Sequence, residues 1–197
     1  SRRRQRQMCI RDRYKTIISV DDLKNNLNNN DFLIFDSRCD IKDSGYGIDS
    51  YTEGHIPNSI FVDVDTDLAS EKRPGTGRHP LPDPNTFSEK LSHWGMSNNK
   101  QVVVYDDAGG AFAGRLWWML KWLGHEAVAV LDGGLNSWVK GGNKLVTTPT
   151  VFEKAHFEPR VQENMIATAD DVEEAQFKMN TIPVSYTHLR AHETATY

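Results

Sequence analysis

The chain has 197 residues, a formal net charge of −4 and a mean hydropathy of −0.58. No run of about 18 apolar residues occurs, which argues against a membrane-spanning helix and a membrane partner. Two cysteines, Cys9 and Cys39, are too few for the disulfide framework of a small secreted domain. The length suits one domain of ordinary size with residues to spare.

Both ends of the chain look foreign to the protein. Residues 3–13 resemble the translation of a transposase-type sequencing adapter, and residues 184–194 resemble the opposite adapter. We therefore interpret 1–13 and 184–197 as non-biological. A basic nucleic-acid arm or a targeting peptide is the alternative for the first segment, although it lacks the apolar stretch of a signal peptide. We expect a cytoplasmic protein, whose true N-terminus would precede Tyr14.

Removing these ends changes the charge balance. Seven Arg, one Asp and one Glu leave, so 16 basic and 25 acidic side chains remain and the net charge becomes −9. An acidic surface argues against binding to nucleic acid. Cys9 leaves with the first segment, and the single remaining thiol of Cys39 cannot form an internal disulfide.

Short apolar strands alternate with amphipathic helices, which is typical of an α/β domain with a mainly parallel sheet. The run from Val102 to Val104 is apolar throughout, as in a strand that is covered on both faces. We predict strands at 16–19, 32–36, 59–62, 101–105 and 127–131.

The predicted helices lie between these strands. Ser19 can cap a helix whose first turn contains Asp22, and Leu23 and Leu27 then share one face. Further helices are predicted at 86–94, 111–123 and 135–140, which are followed by Gly95, Gly124 and Gly141. The predicted fold class is therefore α/β, a parallel sheet flanked by helices on both faces.

Regular periodicity lapses after Gly142, and residues 143–164 have the composition of an extended linker. The pattern of residues 17–23 then returns at 166–172 with an offset of 149 residues: an apolar strand end, a hydroxyl cap, an acidic pair and an apolar anchor. We therefore predict a first domain at 14–142 and the start of a truncated second copy at 165–183.

An ordered set of motifs resembles a known family. Asp36-Ser37-Arg38 ends one strand, and residues 51–59 read Tyr-Thr-Glu-Gly-His-Ile-Pro-Asn-Ser before the next. Further motifs follow at 103–105, 115–118, 131–134 and Trp138. Together they resemble the rhodanese domain over about residues 16–142. With the second start at 166, the resemblance implies the N-terminal domain of a tandem sulfurtransferase with a rhodanese-like fold.

Most of the motif residues have chemistry suited to structural roles. Asp36 can accept hydrogen bonds from Arg38 and fix the loop that follows. Gly54 is expected to have a positive φ angle, and Pro57 an extended conformation before the next strand. We interpret His55 as a buried, hydrogen-bonded imidazole rather than a catalytic base. We also expect four tryptophans in the core: Trp117, Trp118, Trp122 and Trp138.

The loop after Tyr105 carries the functional prediction, because α/β sheets bind ligands beyond the carboxyl ends of their strands. In active rhodanese domains a cysteine follows this strand. Loop N–H groups and a helix N-terminus stabilise its thiolate, which takes up sulfane sulfur as a persulfide. Here Asp106 occupies that position. Since a carboxylate cannot form a persulfide, the resemblance implies a non-catalytic domain with no catalytic residue in this chain.

Two other interpretations of this loop fit less well. A phosphate-binding loop needs a lysine after its last glycine, whereas Gly114 is followed by Arg115 and Leu116. An aspartyl-phosphate nucleophile at Asp106 or Asp107 stays conceivable after an apolar strand, but the companion acidic and threonine positions are absent.

Cys39 and the histidines provide no alternative site. An adjacent carboxylate raises a thiol pKa, so Asp40 favours an incidental Cys39 over a nucleophile. The histidines show no ligand spacing, and we expect no metal and no cofactor. They are His55, His79, His93, His125 and His156.

By resemblance, the parent protein moves sulfane sulfur from thiosulfate or 3-mercaptopyruvate to cyanide or a thiol, through a cysteine persulfide in a second domain beyond Pro183. The implied partners are a small anionic sulfur donor, a thiophilic acceptor and that second domain in cis, and this chain alone is expected to be inactive. Arg78, in a loop rich in Pro and Gly, is a candidate for attracting the anionic substrate. The alternative is a catalytically silent rhodanese-fold module used for regulation or binding.

Overall fold

The computed structural model describes residues 13–177 and divides the chain into two compact units, the first ending at Val161 and the second starting at Gln162. The interpretation of the chain ends as foreign concerns residues outside this range, apart from Arg13.

The first unit contains a five-stranded sheet in which every neighbouring pair is parallel. The strand order is β1-β5-β4-β2-β3. All five residues of the central strand β4 are buried, and successive side chains point to opposite faces, so both faces of the sheet are covered. This confirms the predicted parallel sheet with helices on both faces. The strands are β1 (Ile17–Ile18), β2 (Phe32–Asp36), β3 (Ser59–Phe61), β4 (Gln101–Tyr105) and β5 (Val128–Leu131).

Five helices connect or follow these strands: α1 (Val20–Asn26), α2 (Tyr46–Glu53), α3 (Pro84–His93), α4 (Ala113–Trp122) and α5 (Gly134–Lys140). The Oγ of Ser19 accepts the Asp22 N–H at 3.1 Å, which confirms the predicted cap of α1. Helix α3 begins two residues before its predicted start, because the Asp83 side chain caps it and Pro84 fits the first turn.

Helix α2 was not predicted, because its sequence contains Gly47 and its N-terminus has no side-chain cap. Tertiary packing holds it in place. A Cβ atom at Gly47 would lie 2.4 Å from the carbonyl oxygen of Arg38, so α2 approaches the chain after β2 at a distance that only glycine allows. Tyr51 is buried, and its hydroxyl donates to the carbonyl of Ser59 at 2.8 Å.

Two of the tryptophans are placed as predicted and two are not. Trp122 and Trp138 are buried, whereas Trp117 and Trp118 are only half-buried. The Nε1 of Trp117 donates to the carbonyls of Lys15 and Val128 at the edge of the core. Consecutive residues on a helix point in different directions, so all of α4 cannot face the sheet.

The positive φ predicted for Gly54 is wrong. Its φ is 172°, which is extended backbone. The left-handed residue in this segment is Asn58, with φ of 64°, and its side-chain amide donates to the carbonyl of Leu27 at 2.7 Å. Gly54 is packed tightly instead, since a Cβ atom there would lie 3.2 Å from the Cδ1 of Leu145.

Residues 143–161, most of the predicted linker, pack against the sheet domain. Val146 pairs with His55 in an antiparallel bridge. Phe157 is buried, and its N–H donates to the Oγ of Ser92 at 3.0 Å. The compact unit therefore extends to Val161, beyond the last helix of the sheet domain.

His125 lies beneath the segment 143–161. It is 4% exposed, its Nε2 faces the carbonyl of Ala127 at 3.2 Å, and its ring packs against that of Phe157 in a T-shaped arrangement. Burial is the largest cause that lowers the pKa of His125 from 6.5 to about 4. The folded chain therefore holds this imidazole neutral at a pH at which the unfolded chain protonates it.

The consequence for stability is a loss as the pH falls from 6.5 towards 4, because the unfolded chain then binds more protons than the folded one. We expect His125 to make the free energy of unfolding about 2 kcal/mol smaller at pH 5 than at pH 7.5. Urea unfolding at both pH values measures this, and His125→Gln should lose that part of the difference. An equal difference in the parent and the variant would contradict the assignment.

The second unit, as far as it is described, contains a 3-10 turn (Glu163–Met165) and helix α6 (Ala169–Gln176). Thr168 caps α6 in a capping box with Asp171, whereas the Ser19 side chain caps α1 by accepting the Asp22 N–H alone. The start of a second copy of the domain stays a prediction. Among residues 13–177, no helix is long and apolar enough to cross a bilayer.

Candidate functional site

The candidate site lies at the carboxyl ends of the two central strands. The chain leaves β2 towards β3 on one side and leaves β4 towards β5 on the other, so the loops after β2 and β4 meet at a topological switch point. A cavity of about 640 Å³ lies there, between these loops and the start of α5. Its lining residues are Cys39, Asp40, Ile41, Lys42, Tyr46, Asp107, Ala108, Phe112 and Asn136.

Asp106 follows β4 directly and is fully buried. Its Oδ1 accepts the N–H groups of Ala108 and Gly110 at 3.0 and 2.8 Å, and its Oδ2 accepts those of Phe112 and Ala113 at 2.9 Å each. Ala113 is the first residue of α4, so the positive end of the helix also faces the carboxylate. We call these four N–H groups the Asp106 cradle. The loop therefore holds the Asp106 carboxylate, which contains no sulfur atom.

Residues at the start of α5 bind backbone carbonyl groups of the same loop. The N–H of Leu135 donates to the carbonyl of Asp106 at 2.8 Å, and the side-chain amide of Asn136 donates to the carbonyl of Asp107 at 3.0 Å. Gly134 has a φ of 56°, and a Cβ atom there would lie 2.2 Å from the carbonyl oxygen of Asp106. Only glycine permits this contact.

Tyr46, the first residue of α2, connects this helix to the loop after β4. Its hydroxyl donates to the Oδ2 of Asp107 at 2.5 Å. This hydrogen bond, followed by burial, raises the pKa of Tyr46 above its ordinary value, so the phenol stays protonated and remains a donor. The two walls of the cavity are thereby joined.

Asp36 and Arg38 form a buried ion pair at the end of β2. Asp36 is fully buried and Arg38 is 5% exposed, and the Nη2 of Arg38 lies 2.7 Å from the Oδ2 of Asp36. The same nitrogen donates to the carbonyl of Gly54 at 2.8 Å. Burial alone lowers the pKa of Arg38, but the hydrogen bond and charge of Asp36 outweigh burial and raise it. This confirms that Asp36 fixes Arg38.

Tyr105 extends this pair into the sheet. Its hydroxyl donates to the Oδ2 of Asp36 at 2.7 Å and accepts the N–H of Ile56 at 3.1 Å. Burial, followed by the charge of Asp36, raises the pKa of Tyr105 well above its ordinary value. The strand ends of β2 and β4 are therefore joined by a buried hydrogen-bond network.

His55 is buried and hydrogen-bonded, as predicted. It is fully buried, and its ring nitrogens face the carbonyl oxygens of Tyr51 at 2.7 Å and Thr148 at 3.1 Å. The imidazole stacks on the Tyr51 ring with 3.8 Å between centroids. In this structure His55 connects α2 to the segment after α5.

Cys39 lines the cavity with a half-buried thiol. Burial raises the pKa of Cys39, and the charges of Asp65, Asp63 and Asp40 raise it further. Because the thiolate is the reactive form, a raised pKa disfavours a nucleophilic role. The environment supports the interpretation of Cys39 as incidental, and burial adds to the effect of Asp40.

Arg78 lies on an exposed loop and is not among the residues that line the cavity. The next residue, His79, is held by two hydrogen bonds. The Arg115 guanidinium donates to its carbonyl, and its ring bonds Asp65 at 2.8 Å. The described cation that does line the cavity is Lys42. A role for Arg78 in substrate attraction stays a prediction.

The sequence did not single out Lys42, Tyr46 or Asn136. A signal existed for the first two, because they follow β2 and the rule that ligands bind beyond strand ends applies to that loop as well. Among the described residues, no cluster of three or more His, Cys, Asp or Glu side chains could hold a metal ion.

Comparison with known proteins agrees with this geometry. The model of the family described as "Rhodanese-like domain" matches residues 19–141. A probable 3-mercaptopyruvate sulfurtransferase from Pseudomonas aeruginosa is 39% identical over 155 residues, which are 78% of this chain and 55% of that protein. Thiosulfate sulfurtransferase from Rattus norvegicus is 34% identical over 126 residues, 62% of this chain and 41% of that protein.

Solved structures show the same fold. A 3-mercaptopyruvate sulfotransferase from Escherichia coli aligns with a TM-score of 0.73 and 27% identity, covering 82% of this chain and 63% of that one. A 3-mercaptopyruvate sulfurtransferase from Leishmania major aligns with a TM-score of 0.68 and 30% identity, covering 75% of this chain and 42% of that one. The chain spans about half the length of the curated relatives that it matches. From the family match and the parallel sheet together, the chain belongs to the rhodanese-like domain family.

Proposed function

We propose that this chain is the non-catalytic first domain of a tandem sulfurtransferase. The parent would move sulfane sulfur from thiosulfate or 3-mercaptopyruvate to a thiophilic acceptor, cyanide or a thiol. The observation that carries the proposal is the buried Asp106 carboxylate, which accepts four loop N–H groups directly after β4, where the resemblance places the cysteine of an active rhodanese domain. The names of the similar sulfurtransferases support the reaction class.

The chemistry needs a thiolate, which we place in a second domain beyond Pro183. With thiosulfate, that thiolate attacks the outer sulfur, the S–S bond breaks, and sulfite leaves with the bonding electron pair. Cyanide then attacks the persulfide, takes the sulfur as thiocyanate and regenerates the thiolate. The capped helix α6 supports this arrangement, because a hydroxyl side chain caps it, as one caps α1.

In this proposal the cavity at the switch point contributes to the binding of the small anionic donor. The cavity has mixed charge, since Lys42 lies with the carboxylates of Asp40 and Asp107. The Tyr46 hydroxyl donates to the Asp107 carboxylate. Lys42 is the described cation that lines the cavity, so we assign to it the attraction of a small anionic donor. Arg78 would contribute long-range attraction rather than contact.

The proposal is tested by reading the gene beyond Pro183 and assaying the longer chain. We expect a second strand that ends in Cys-Gly-x-Gly, thiocyanate production from thiosulfate and cyanide, and loss of that activity when the new cysteine is changed to Ser. A downstream loop without cysteine would favour the alternative, a silent regulatory or binding module. Turnover by the present chain, abolished by Cys39→Ser, would contradict the role given to Asp106.

A further inference from the structure

A further cavity, of about 480 Å³, lies at the opposite end of the sheet from the switch point. Three of its lining residues place it there, since Lys15 precedes β1, Asn99 precedes β4 and Ala127 precedes β5. These strands are parallel, so the three residues meet at the amino edge of the sheet. A volume of this size is typical of sites for small molecules.

Positive charge is in excess around this cavity. Among the described residues that line it, Arg13, Lys15 and Arg160 are cationic and Glu126 is the carboxylate. Lys121 also approaches, with its Nζ 2.8 Å from the Glu126 carboxylate, whereas the Nζ of Lys15 is 4.0 Å away. The chain as a whole is acidic, with a net charge of −4. A local excess of cations on an acidic chain attracts anions to that place.

Two titratable groups at the cavity respond to this positive charge. The Lys121 hydrogen bond is the largest cause that lowers the pKa of Glu126, and the charge of Lys15 lowers it further. Burial is the largest cause that lowers the pKa of His125, and the charges of Arg13 and Lys121 lower it further. An anion bound beside these cations would offset their charge, so the pKa of His125 can report its binding.

The wall that carries Arg160 is held by contacts that do not involve the guanidinium. The N–H of Arg160 donates to the carbonyl of Leu123 at 2.8 Å. The Asn98 side chain pairs with the backbone of Glu158, donating to its carbonyl at 2.8 Å and accepting its N–H at 2.9 Å. The Arg160 side chain can therefore be changed without loss of these bonds.

Arg13 contributes to the rim of the cavity, where its Nη2 donates to the carbonyl of Asn99 at 2.8 Å. It belongs to the segment 1–13, which we interpret as foreign to the protein. We therefore assign the site to Lys15 and Arg160.

We propose that this cavity binds small molecules that carry a phosphate group with two or more negative charges. Guanidinium and ammonium groups bind phosphate oxygens through charge-assisted hydrogen bonds. Several cations around one cavity favour a multiply charged anion over a singly charged one. The cavity also has room for a group larger than phosphate itself. Since it lies at the opposite end of the sheet from Lys42, the proposal does not depend on the proposed function.

Titrating this chain with inorganic pyrophosphate at neutral pH, followed by amide NMR, tests the proposal. We expect saturable shifts of the amide signals of Asn99, Gly124 and Ala127, and a higher pKa of His125 in the complex. The affinity should fall as sodium chloride is added, because salt screens exposed charges. Absence of saturable binding at millimolar pyrophosphate, shifts confined to other parts of the chain, or equal affinity for acetate would overturn the proposal.

Substitutions identify the residues that bind. Lys15→Gln and Arg160→Gln should each weaken pyrophosphate binding about twofold to fivefold, as expected for exposed ion pairs. Both side chains are exposed, so the variants should melt as the parent does. Lys72→Gln is the matched control, because Lys72 is exposed and is not among the residues that line the cavity. It should bind pyrophosphate as the parent does.

Arg13→Gln distinguishes a site of the protein from one created by the foreign segment. This variant should retain saturable binding. Loss of binding in Arg13→Gln alone would overturn the proposal. Equal dissociation constants for the parent, Lys15→Gln and Arg160→Gln would overturn it as well, since pyrophosphate would then bind without the assigned cations.

Discussion

Arg38→Ala is expected to lower the free energy of unfolding by about 3–5 kcal/mol. The substitution removes the cation that pairs with Asp36 while leaving that carboxylate fully buried, with the Tyr105 hydroxyl as a remaining donor. It also leaves the carbonyl of Gly54 without the guanidinium that donates to it. Urea unfolding followed by tryptophan fluorescence and far-UV circular dichroism measures the change.

The matched control is Arg73→Ala. Arg73 and Glu71 also form an ion pair, but their side chains are 75% and 83% exposed and 4.0 Å apart. Solvent screens such a pair, so the expected change is within about 0.5 kcal/mol. If Arg38→Ala were as mild as Arg73→Ala, the buried network at the strand ends would not stabilise the domain as described.

Gly134→Ala is expected to destabilise the domain by roughly 2–6 kcal/mol, since backbone strain and overpacking each cost about 1–3 kcal/mol. The new Cβ atom would lie 2.2 Å from the carbonyl oxygen of Asp106. A backbone carbonyl cannot rotate away as a side chain can, so α5 or the Asp106 loop must shift. The hydrogen bond from Leu135 to the same carbonyl would weaken with it.

Gly142→Ala separates the cost of backbone strain from the cost of overpacking. Gly142 also has a positive φ, of 71°, but a Cβ atom there would meet nothing within 4 Å. It should therefore show the backbone strain alone, about 1–2 kcal/mol. Thermal unfolding of both variants gives the comparison. Equal losses would mean that the contact between α5 and Asp106 is more adaptable than its geometry indicates.

The central strands and the position of Asp106 could be predicted because their signals are local. Phe32–Asp36 and Gln101–Tyr105 are runs that are apolar enough to be buried on both faces, and their bounds agree with the structure. The position of Asp106 follows from the strand that precedes it and from the ordered motifs around it. These features depend on neighbours in sequence.

The features that were missed depend on residues distant in sequence. Helix α2 has weak local signals and is held by Tyr51 and by the contact of Gly47 with Arg38. The backbone of Gly54 is extended, and the reason for glycine there is the side chain of Leu145, which is far along the chain. No sequence pattern showed that residues 143–161 pack on the domain or that Asn136 lines the cavity.

We propose that Asp106 stands at the position of the rhodanese nucleophile, and a carboxylate there cannot accept sulfur. Incubating this chain with thiosulfate, removing small molecules and measuring its intact mass tests the claim directly. We expect an unchanged mass, both for the parent and for Cys39→Ser. A gain equal to one sulfur atom in the parent, absent from Cys39→Ser, would contradict it and identify Cys39 as the sulfur acceptor.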